Sequence, residues 1–241
     1  MHLHIGRSNC IGDAFLSLKS ADLVISHRQV AEFDFNEVTR LSISAFDPEK
    51  KHRPKQDFWL TSVSNLKSDV IVQYFASGRA LMLMNSKFST YVENKQREIN
   101  FLRSNFQNTQ IFYVPNVVPL SDRFLSGFFK EFVQNFKKGS IRFDVSESSK
   151  WDFVPVNGLV KLADFQGNSL GQLSFRCFSG MPITASELTY LANSVNPTSD
   201  IVFGAQTEEY IFEDNLEKFV KSKVEIEQAI VKLLVGSIHD A

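Results

Sequence analysis

Cysteine is scarce in this sequence, and the spacings that would indicate disulfides or a metal centre are missing. Only Cys10 and Cys177 are present, far apart and outside any CxxC motif. Two such thiols fit a reducing compartment and argue against a disulfide framework. We interpret both as buried and inert. The five histidines form no HxxxH or HExxH pair, so no catalytic metal is expected.

Long apolar runs and an excess of positive charge are also missing. No stretch reaches the roughly 18 apolar residues that a membrane-spanning helix needs. The start, MHLHIGRSN, lacks the basic and apolar regions of a signal peptide. The formal net charge is −1, whereas binding to a phosphate backbone usually requires a strongly positive balance. We therefore expect a cytoplasmic protein with neither a membrane nor a nucleic-acid partner.

Short apolar runs alternate with amphipathic stretches through the first part of the chain. The strand candidates occupy residues 2–5, 22–26, 40–46, 69–77 and 110–118. Helical spacing occurs at "DAFLSLKS", between Phe58 and Leu66, from about Tyr91 onward, and at 123–139. Such alternation predicts an α/β fold, a doubly wound and mainly parallel sheet of the Rossmann type. The charged, proline-containing stretch 47–57 indicates a solvated loop, with a loop over a ligand as the alternative.

The pattern changes in the last part of the chain. Short strand candidates, "SIRFDV" and "QLSFRCF", precede a helix that opens with a Thr184–Glu187 capping box, and a closing helix is expected in "NLEKFVKSKVEIEQAIVKLL". These elements predict a small α+β lobe. We assign residues 1–140 to a dinucleotide-binding domain, and 141–241 mostly to a substrate-binding lobe with parts returning to the main sheet.

The first strand ends in a glycine-containing turn, "HIGRSNCIG". Gly6 lies at the end of the strand and Gly12 at the start of the first helix, where a dinucleotide-binding fold brings its backbone close to a pyrophosphate. Asn9 stands where a third glycine is expected, and asparagine tolerates left-handed backbone angles better than most residues. An ordinary strand-to-helix turn remains the alternative.

Arg28 follows the second strand, at the position where such folds distinguish their cofactors. A carboxylate there binds the ribose hydroxyls of NAD, whereas an arginine favours the 2′-phosphate of NADP. This position therefore slightly favours NADP over NAD, unless Arg28 is simply a surface residue.

Tyr91 and Lys95 are four residues apart on one predicted helix face. A nearby ammonium favours the phenolate and brings a tyrosine closer to the working range of a proton shuttle. Ser77 ends the central strand, in the crevice where ligands of parallel sheets bind. The alternative is that Tyr91 and Lys95 are two neighbours on a solvated helix.

With these motifs the chain resembles the extended short-chain dehydrogenase/reductase family of sugar-nucleotide epimerases, dehydratases and ketoreductases. "IGRSNCIG" is similar to its TGxxGxxG turn, "FDF" (33–35) to its adenine-contacting pair, and "VIVQYFAS" to the strand that carries its Ser/Thr. "YVENK" is similar to its YxxxK helix, "VPNVVP" (114–119) to its RPxNVYGP loop, and "WDFVPVNGLVKLA" (151–163) to its RDFxxVxDxxxA stretch. The resemblance covers nearly the whole chain.

The resemblance implies an NAD(P)-dependent oxidoreductase or epimerase that acts on a sugar nucleotide. It implies Ser77, Tyr91 and Lys95 as catalytic residues and Ser77 and Asn116 as substrate-binding residues. It also implies a homodimer formed by two helices of each subunit, one of them the Tyr91 helix. The implied cofactor-binding residues are Gly6, Ser8, Asn9, Cys10, Ile11, Gly12, Arg28, Asp34, Phe35, Tyr91, Lys95 and Val114.

Several positions depart from the family pattern. Asn9 replaces a glycine, Val114 an arginine, Val118 a tyrosine, Trp151 an arginine and Asn157 an aspartate. Few residues separate the second strand from the strand at 40–46, so the family's third strand and its helix are expected to be missing. Asn9 and the shortened first half motivate an alternative, a nucleotide-binding or scaffold protein that retains the fold without turnover. A phosphate-binding transferase lacks support because no GxxxxGK[ST] loop is present. Gly78 and Arg79 stand where dehydratases carry an Asp-Glu pair, which makes dehydration the least expected reaction.

Overall fold

The computed structural model describes residues 1–7, 9–44, 62–81, 89–125, 127–198, 200–207, 209–210 and 222–239, except for the side chains of residues 79–80, 89–91, 209–210 and 239. The described strands are β1 (His2–Ile5), β2 (Leu23–Ile25), β3 (Arg40–Ser44), β4 (Ile71–Ser77), β5 (Asn108–Val114), β6 (Asn116–Val118), β7 (Ser140–Val145), β8 (Lys150–Trp151), β9 (Phe153–Pro155), β10 (Leu173–Arg176), β11 (Ile183–Thr184), β12 (Asp200–Gln206) and β13 (Glu209–Tyr210). The described α-helices are α1 (Cys10–Ser17), α2 (Ser89–Asn105), α3 (Gly127–Lys137), α4 (Val156–Phe165), α5 (Ala185–Val195) and α6 (Lys223–His239).

The chain forms two compact units whose limits differ from the boundary expected at residue 140. The first unit comprises Met1–Val114 and Val160–Arg176, and the second comprises Pro115–Leu159 and Cys177–Ala241. The division therefore falls inside "QIFYVPNVV", which the sequence pattern treated as one strand. Pro115 interrupts it because proline has no N–H to donate to a strand ladder, and β6 pairs with β9 in the second unit.

The first unit contains a six-stranded sheet in the order β2-β1-β3-β4-β5-β10. Every neighbouring pair in it is parallel. Because β2 and β3 lie on opposite sides of β1, the strand order reverses at β1, which is where open α/β sheets form their ligand crevice. The predicted fold class, a parallel sheet of the Rossmann type, is confirmed.

Two aromatic contacts show why "QLSFRCF" belongs to this sheet rather than to the small lobe, where the sequence analysis placed it. Phe175 of β10 stacks on Phe112 of β5 with ring centroids 4.9 Å apart, and Phe112 stacks on Phe75 of β4 at 5.0 Å. These rings form one layer on one face of the sheet. The alternating pattern of β10 resembles that of a half-buried edge strand, and sequence position alone did not reveal which sheet it joins.

Helices α1 and α2 cover opposite faces of the first-unit sheet. Phe15 of α1 packs edge-on against Phe75, with ring centroids 5.9 Å apart. The preceding residue of β4, Tyr74, points to the other face, where its hydroxyl donates to Glu98 of α2. The sheet is therefore covered on both sides, as the doubly wound prediction requires.

Residues 26–39 connect β2 to β3 with one short 3₁₀ helix, Val30–Glu32, and without a strand. The expectation that the third strand of the family pattern is missing is therefore confirmed. As a consequence, β2 is the edge of the sheet on that side.

The second unit holds three small sheets, in the orders β11-β8-β13, β12-β7 and β6-β9. Its helix α3 buries Phe129, Phe132 and Phe136. The predicted capping box at the start of α5 is confirmed: the Glu187 N–H donates to Thr184 Oγ1 at 3.0 Å, and the Thr184 N–H donates to Glu187 Oε2 at 2.8 Å. The start of the predicted closing helix, 215–221, lies outside the described residues, as do Phe58, Trp59 and the loop at 47–57.

Asp152 organises a tight turn in the second unit. Its Oδ1 accepts the N–H and the hydroxyl of Ser179 at 2.9 and 2.8 Å, and its Oδ2 accepts the Gly180 N–H at 2.9 Å. Burial raises the pKa of Asp152, while these three hydrogen bonds oppose that shift. This carboxylate, which belongs to the "WDF" motif, therefore connects β8 to the turn before β11.

Candidate functional site

The glycine turn after β1 has the geometry of a close strand-to-helix approach. Gly6 has a φ of +140°, a conformation that residues with a side chain rarely adopt, and its N–H donates to the carbonyl of Ile25 at 2.9 Å. A Cβ added at Gly12 would lie 2.1 Å from the Gly6 carbonyl oxygen. Both positions therefore require glycine, because the start of α1 packs directly against the end of β1.

Asn9 is the N-cap of α1. Its backbone is extended, with φ −139° and ψ 168°, so the left-handed conformation considered from the sequence does not occur. Instead its side-chain Oδ1 accepts the Gly12 N–H at 2.9 Å, which satisfies one of the first N–H groups of the helix. Cys10 and Ile11 form the first helical turn with Gly12. Ser8 lies outside the described residues.

The two thiols are poor nucleophiles, although Cys10 is half-buried rather than buried as expected from the sequence. Burial raises the pKa of the Cys10 thiol to about 11. Cys177 is fully buried, and burial raises its pKa as well. Because the thiolate is the reactive form, neither cysteine supplies a nucleophile at neutral pH. Any contribution of Cys10 to the glycine turn therefore comes from its backbone in the first turn of α1.

A polar cluster that the sequence analysis did not identify lies directly below the glycine turn. His4 is fully buried, its Nε2 is 2.7 Å from Ser44 Oγ, and its ring stacks on Phe15 at 4.3 Å. A Cβ at Gly6 would approach the same Ser44 Oγ at 2.7 Å. His2 continues the cluster, with its Nε2 2.7 Å from Ser42 Oγ. Alternate polar residues in the strands, His2/His4 and Ser42/Ser44, were the available signal.

Both histidines in this cluster are held neutral. Burial lowers the pKa of His4 to about 3, assisted by His2, and burial lowers the pKa of His2 to about 4, assisted by the Arg40 charge. His4 Nδ1 has no hydrogen-bond partner among the described residues. A second proton on His4 would therefore place an unsatisfied charged donor in the core.

We predict that this cluster makes the fold sensitive to mild acid. Below about pH 6.5 both histidines become protonated in the unfolded protein but stay neutral in the folded protein. The free energy of unfolding therefore falls as the pH falls. Each histidine should cost about 2 kcal/mol between pH 7 and pH 5. His4→Gln removes one of the two titrating rings, so its free energy of unfolding should fall about half as much between pH 7 and pH 5. Urea unfolding of both proteins at both pH values measures this difference. An equal loss in both proteins would contradict the role of His4.

The residues proposed for cofactor selection are accessible. Arg28 is exposed in the segment after β2. Asp34 is also exposed, and its Oδ1 accepts the Asn36 N–H at 3.0 Å. Phe35 is half-buried and packs edge-on against Phe33, with ring centroids 5.1 Å apart. Asp34 is therefore already used in a local turn, while the guanidinium of Arg28 is on the surface.

Ser77 and Val114 lie side by side at the carboxyl edge of the first-unit sheet. They are paired neighbours at the ends of the parallel strands β4 and β5. Ser77 is half-buried, and Val114 is 7% exposed. Asn116 follows in the second unit, where its Nδ2 is 3.5 Å from the Asp152 carbonyl oxygen. The carboxyl-edge position expected for Ser77 is thus observed, and its catalytic role is untested.

Lys95 is enclosed between α2 and β4. Its side chain is fully buried, and its Nζ donates to Glu98 Oε2 at 2.9 Å and to the Tyr74 hydroxyl at 3.2 Å. The Tyr74 hydroxyl in turn donates to Glu98, which closes a buried triad of Tyr74, Lys95 and Glu98. Tyr91 lies in the first turn of the same helix, one turn before Lys95, and its side chain is outside the described part.

This triad changes the interpretation of the YxxxK motif. The alternative that Tyr91 and Lys95 are both neighbours on a solvated helix is wrong for Lys95, because that side chain is inaccessible. Its partners Glu98 and Tyr74 were not recognised from the sequence. The i,i+3 spacing of Lys95 and Glu98 on a helix was an available signal.

The described residues contain no group of three or more histidine, cysteine, aspartate or glutamate side chains placed to hold a metal ion. In the same part of the chain, no helix combines the length and the hydropathy needed to cross a membrane.

Comparison with known proteins identifies the fold. No protein-family model and no curated protein sequence matches the chain. Among solved structures, a UDP-glucose 4-epimerase of Thermus thermophilus in complex with NAD is similar over 100% of both chains, with 14% identity and a TM-score of 0.77. The Bordetella bronchiseptica enzyme WbmH in complex with NAD⁺ is similar over 98% of this chain and 97% of its own, with 13% identity and a TM-score of 0.74.

A third similar structure is a GDP-D-glycero-L-gluco-heptose synthase of Campylobacter jejuni, determined in the presence of NADPH. It covers 100% of this chain and 98% of its own, with 11% identity and a TM-score of 0.70. At these identities the comparisons establish a shared fold. The resemblance to the extended short-chain dehydrogenase/reductase family is thus confirmed at the level of the fold.

Proposed function

We propose that the protein is an NAD(P)-dependent enzyme that acts on a sugar nucleotide, as an epimerase or a ketoreductase. The observation that carries this proposal is the Gly6–Gly12 turn at the point where the strand order reverses. The similar solved structures support it, because they include a UDP-glucose 4-epimerase with NAD and a heptose synthase with NADPH. They extend over essentially the whole chain, so the proposal concerns the protein as a whole.

The residues of the glycine turn fit a dinucleotide. Gly6 and Gly12 leave no side chain between β1 and the start of α1, and a helix N-terminus favours a negatively charged phosphate. Cys10 and Ile11 would offer backbone N–H groups, whereas the Gly12 N–H is already bound by Asn9. Arg28 would contact a 2′-phosphate, and Asp34 and Phe35 would lie beside the adenine.

The chemistry is assigned to the carboxyl edge of β4 and the first turns of α2. A bound nicotinamide would supply the hydride acceptor or donor. We assign to Tyr91 the transfer of a proton to or from a sugar hydroxyl or ketone, and to Ser77 a hydrogen bond that orients the same oxygen. To contact the nicotinamide ribose and lower the pKa of Tyr91, Lys95 would have to exchange its contacts with Glu98 and Tyr74. Val114 and Asn116 would line the cofactor and substrate regions respectively.

Cofactor titration tests the first step of this proposal. NADP should bind more tightly than NAD, because the exposed Arg28 guanidinium can pair with a 2′-phosphate. Arg28→Asp should weaken NADP binding by about tenfold, which corresponds to about 1.4 kcal/mol, and should reduce or reverse the preference. Isothermal titration calorimetry of both proteins with both nucleotides measures this.

The neighbouring exposed residue Gln29 provides a control, since Gln29→Glu introduces a negative charge next to the proposed contact and keeps the oxygen that accepts the Ser26 N–H. Equal NADP affinity in the native protein and in Arg28→Asp would show that Arg28 makes no contact with the cofactor. If neither nucleotide binds and neither raises the melting temperature, the enzymatic proposal itself fails.

One observation favours a second candidate, a nucleotide-binding or scaffold protein without turnover. Lys95 Nζ is bound by Glu98 and Tyr74 inside the first unit, rather than presented to a ligand. Asn9 also occupies a helix N–H that a phosphate could have used. A protein that binds the nucleotide but converts no sugar nucleotide would support this candidate.

A further inference from the structure

Helix α6 in the second unit carries two apolar stripes rather than one. The first contains Ile226, Ile230, Leu233 and Leu234, which are at most 1% exposed. It packs within the second unit, where α6 contacts α3, α5, β6 and β9. This stripe accounts for the docking of α6 on its own unit. Any apolar residues on the remaining surface of the helix therefore need another explanation.

The second stripe is exposed and follows the spacing of a coiled coil. Val224, Val235 and Ile238 are 54%, 40% and 38% exposed. The outward stripe consists of Val224, Gln228, Val231, Val235 and Ile238. Its steps alternate between four and three residues, which is the a/d pattern of a heptad repeat, with Gln228 and Val235 at a positions. Leu191 of α5 adjoins it, forming an open groove along α6.

Two opposite charges border this stripe at the positions that pair between helices. Glu227 precedes Gln228 at a g position, and Lys232 follows Val231 at an e position; both line the groove. In a parallel pair of helices, a g residue meets the e residue five positions later on its partner. Glu227 would therefore meet Lys232 of a second copy, and Lys232 would meet Glu227 of that copy. Within the described part of the chain, neither residue has an ion-pair partner.

We infer that the outward stripe of α6 is a self-association surface on which a second copy of this chain packs in parallel about a twofold axis. The stripe from Val224 to Ile238 is about 21 Å long at 1.5 Å per residue. An isolated helix of this length would be marginal, but α6 is already folded against its own unit, so association does not have to form the helix. The Gln228 amides would meet at one a position, where a polar pair fixes the register.

This surface is distinct from the one expected from the family resemblance. On α2 the apolar residues Val92, Ile99 and Leu102 are buried within the first unit. The outward face of α2 is polar and includes Glu93, Arg97 and Asn100. Of these two helices, α6 is therefore the one that exposes large apolar side chains among the described residues. The inference does not depend on cofactor binding or turnover.

Light scattering at about 100 μM should give twice the 27.4 kDa mass of the chain. Val235→Glu places two like charges in the contact between the helices, so it should produce a folded monomer, because Val235 is exposed and its replacement leaves the core of the second unit intact. Arg97→Glu on α2 is the matched control and should leave the mass unchanged. A monomeric native protein, or a dimer that survives Val235→Glu, would overturn the inference.

Charge exchange tests the parallel pairing separately. Glu227→Lys and Lys232→Glu should each weaken association by about tenfold, because each turns two attractive pairs into repulsive ones. The combined exchange should restore it. In addition, Val224→Cys should form a disulfide with its own copy under mild oxidation, whereas the native protein, with Cys10 and Cys177, should not. An antiparallel pair would bring Val224 to Ile238, so a lack of crosslinking would contradict the parallel arrangement.

Discussion

Tyr91→Phe should abolish most of the turnover of a sugar nucleotide while it leaves the fold and cofactor binding intact. The substitution removes one hydroxyl and keeps the ring, so the expected loss is that of a proton-transfer group, about 10²- to 10⁴-fold in kcat. The measurement is initial rate against a panel of nucleotide sugars, with the cofactor affinity determined in parallel. Tyr91 lies in the first turn of α2, whose N-terminal end follows the carboxyl edge of β4.

Tyr190→Phe is the matched control, because Tyr190 is 74% exposed on α5 and has no assigned role. It should keep full activity. Undiminished turnover in Tyr91→Phe would remove the proposed proton transfer and would assign the acid or base to another residue, with Ser77 as the first to test. A parallel loss of cofactor affinity would instead indicate that Tyr91 contributes to binding.

The sequence predicted the parallel sheet well because its strands are buried on both faces. β4 and β5 consist largely of β-branched and aromatic residues, a composition that few other elements share. The glycine turn was also predictable, since only glycine fits at Gly6 and Gly12. In both cases the residue types that the local structure needs are also those that its surroundings in the fold allow. The sequence alone therefore predicts these two features.

The chain divisions and the surroundings of the site were not predictable in the same way. Pro115 interrupts an apolar run whose pattern continues through it, and β10 joins the first-unit sheet after an excursion through the second unit. Both depend on pairing between segments that are distant in sequence. The alternation of His2 and His4 indicated a polar strand face, but the neutral state of His4 was not predictable, because it arises from burial against Phe15 and Ser44.

Lys95 shows most clearly what residue spacing cannot predict. Its spacing from Tyr91 predicted a cation beside the proton donor, but spacing cannot show which anion it meets. The structure supplies Glu98, which binds Lys95 in a fully buried pair. The same lysine thus has two possible contributions, one to the stability of the first unit and one to the site. Substitutions of its partner can separate them.

We expect Lys95→Met to destabilise the protein by about 3–5 kcal/mol, because it removes the buried ammonium that pairs with the Glu98 carboxylate. Lys95→Met/Glu98→Gln should recover most of that loss, since a neutral amide can still accept the hydrogen bond of the Tyr74 hydroxyl. Urea unfolding of the native protein, the single variant and the double variant measures both effects. A loss below about 1 kcal/mol in Lys95→Met would contradict the buried ion pair.

The double variant then decides what Lys95 does in the site. If the lysine contacts the nicotinamide ribose and tunes Tyr91, restoring stability should not restore function: cofactor affinity and turnover should stay low in Lys95→Met/Glu98→Gln. Any residual activity should require a higher pH, because a phenol without a neighbouring ammonium ionises later. Native cofactor affinity and turnover in a refolded, stable double variant would show that Lys95 acts only through its pair with Glu98, and the YxxxK resemblance would then carry no catalytic meaning in this chain.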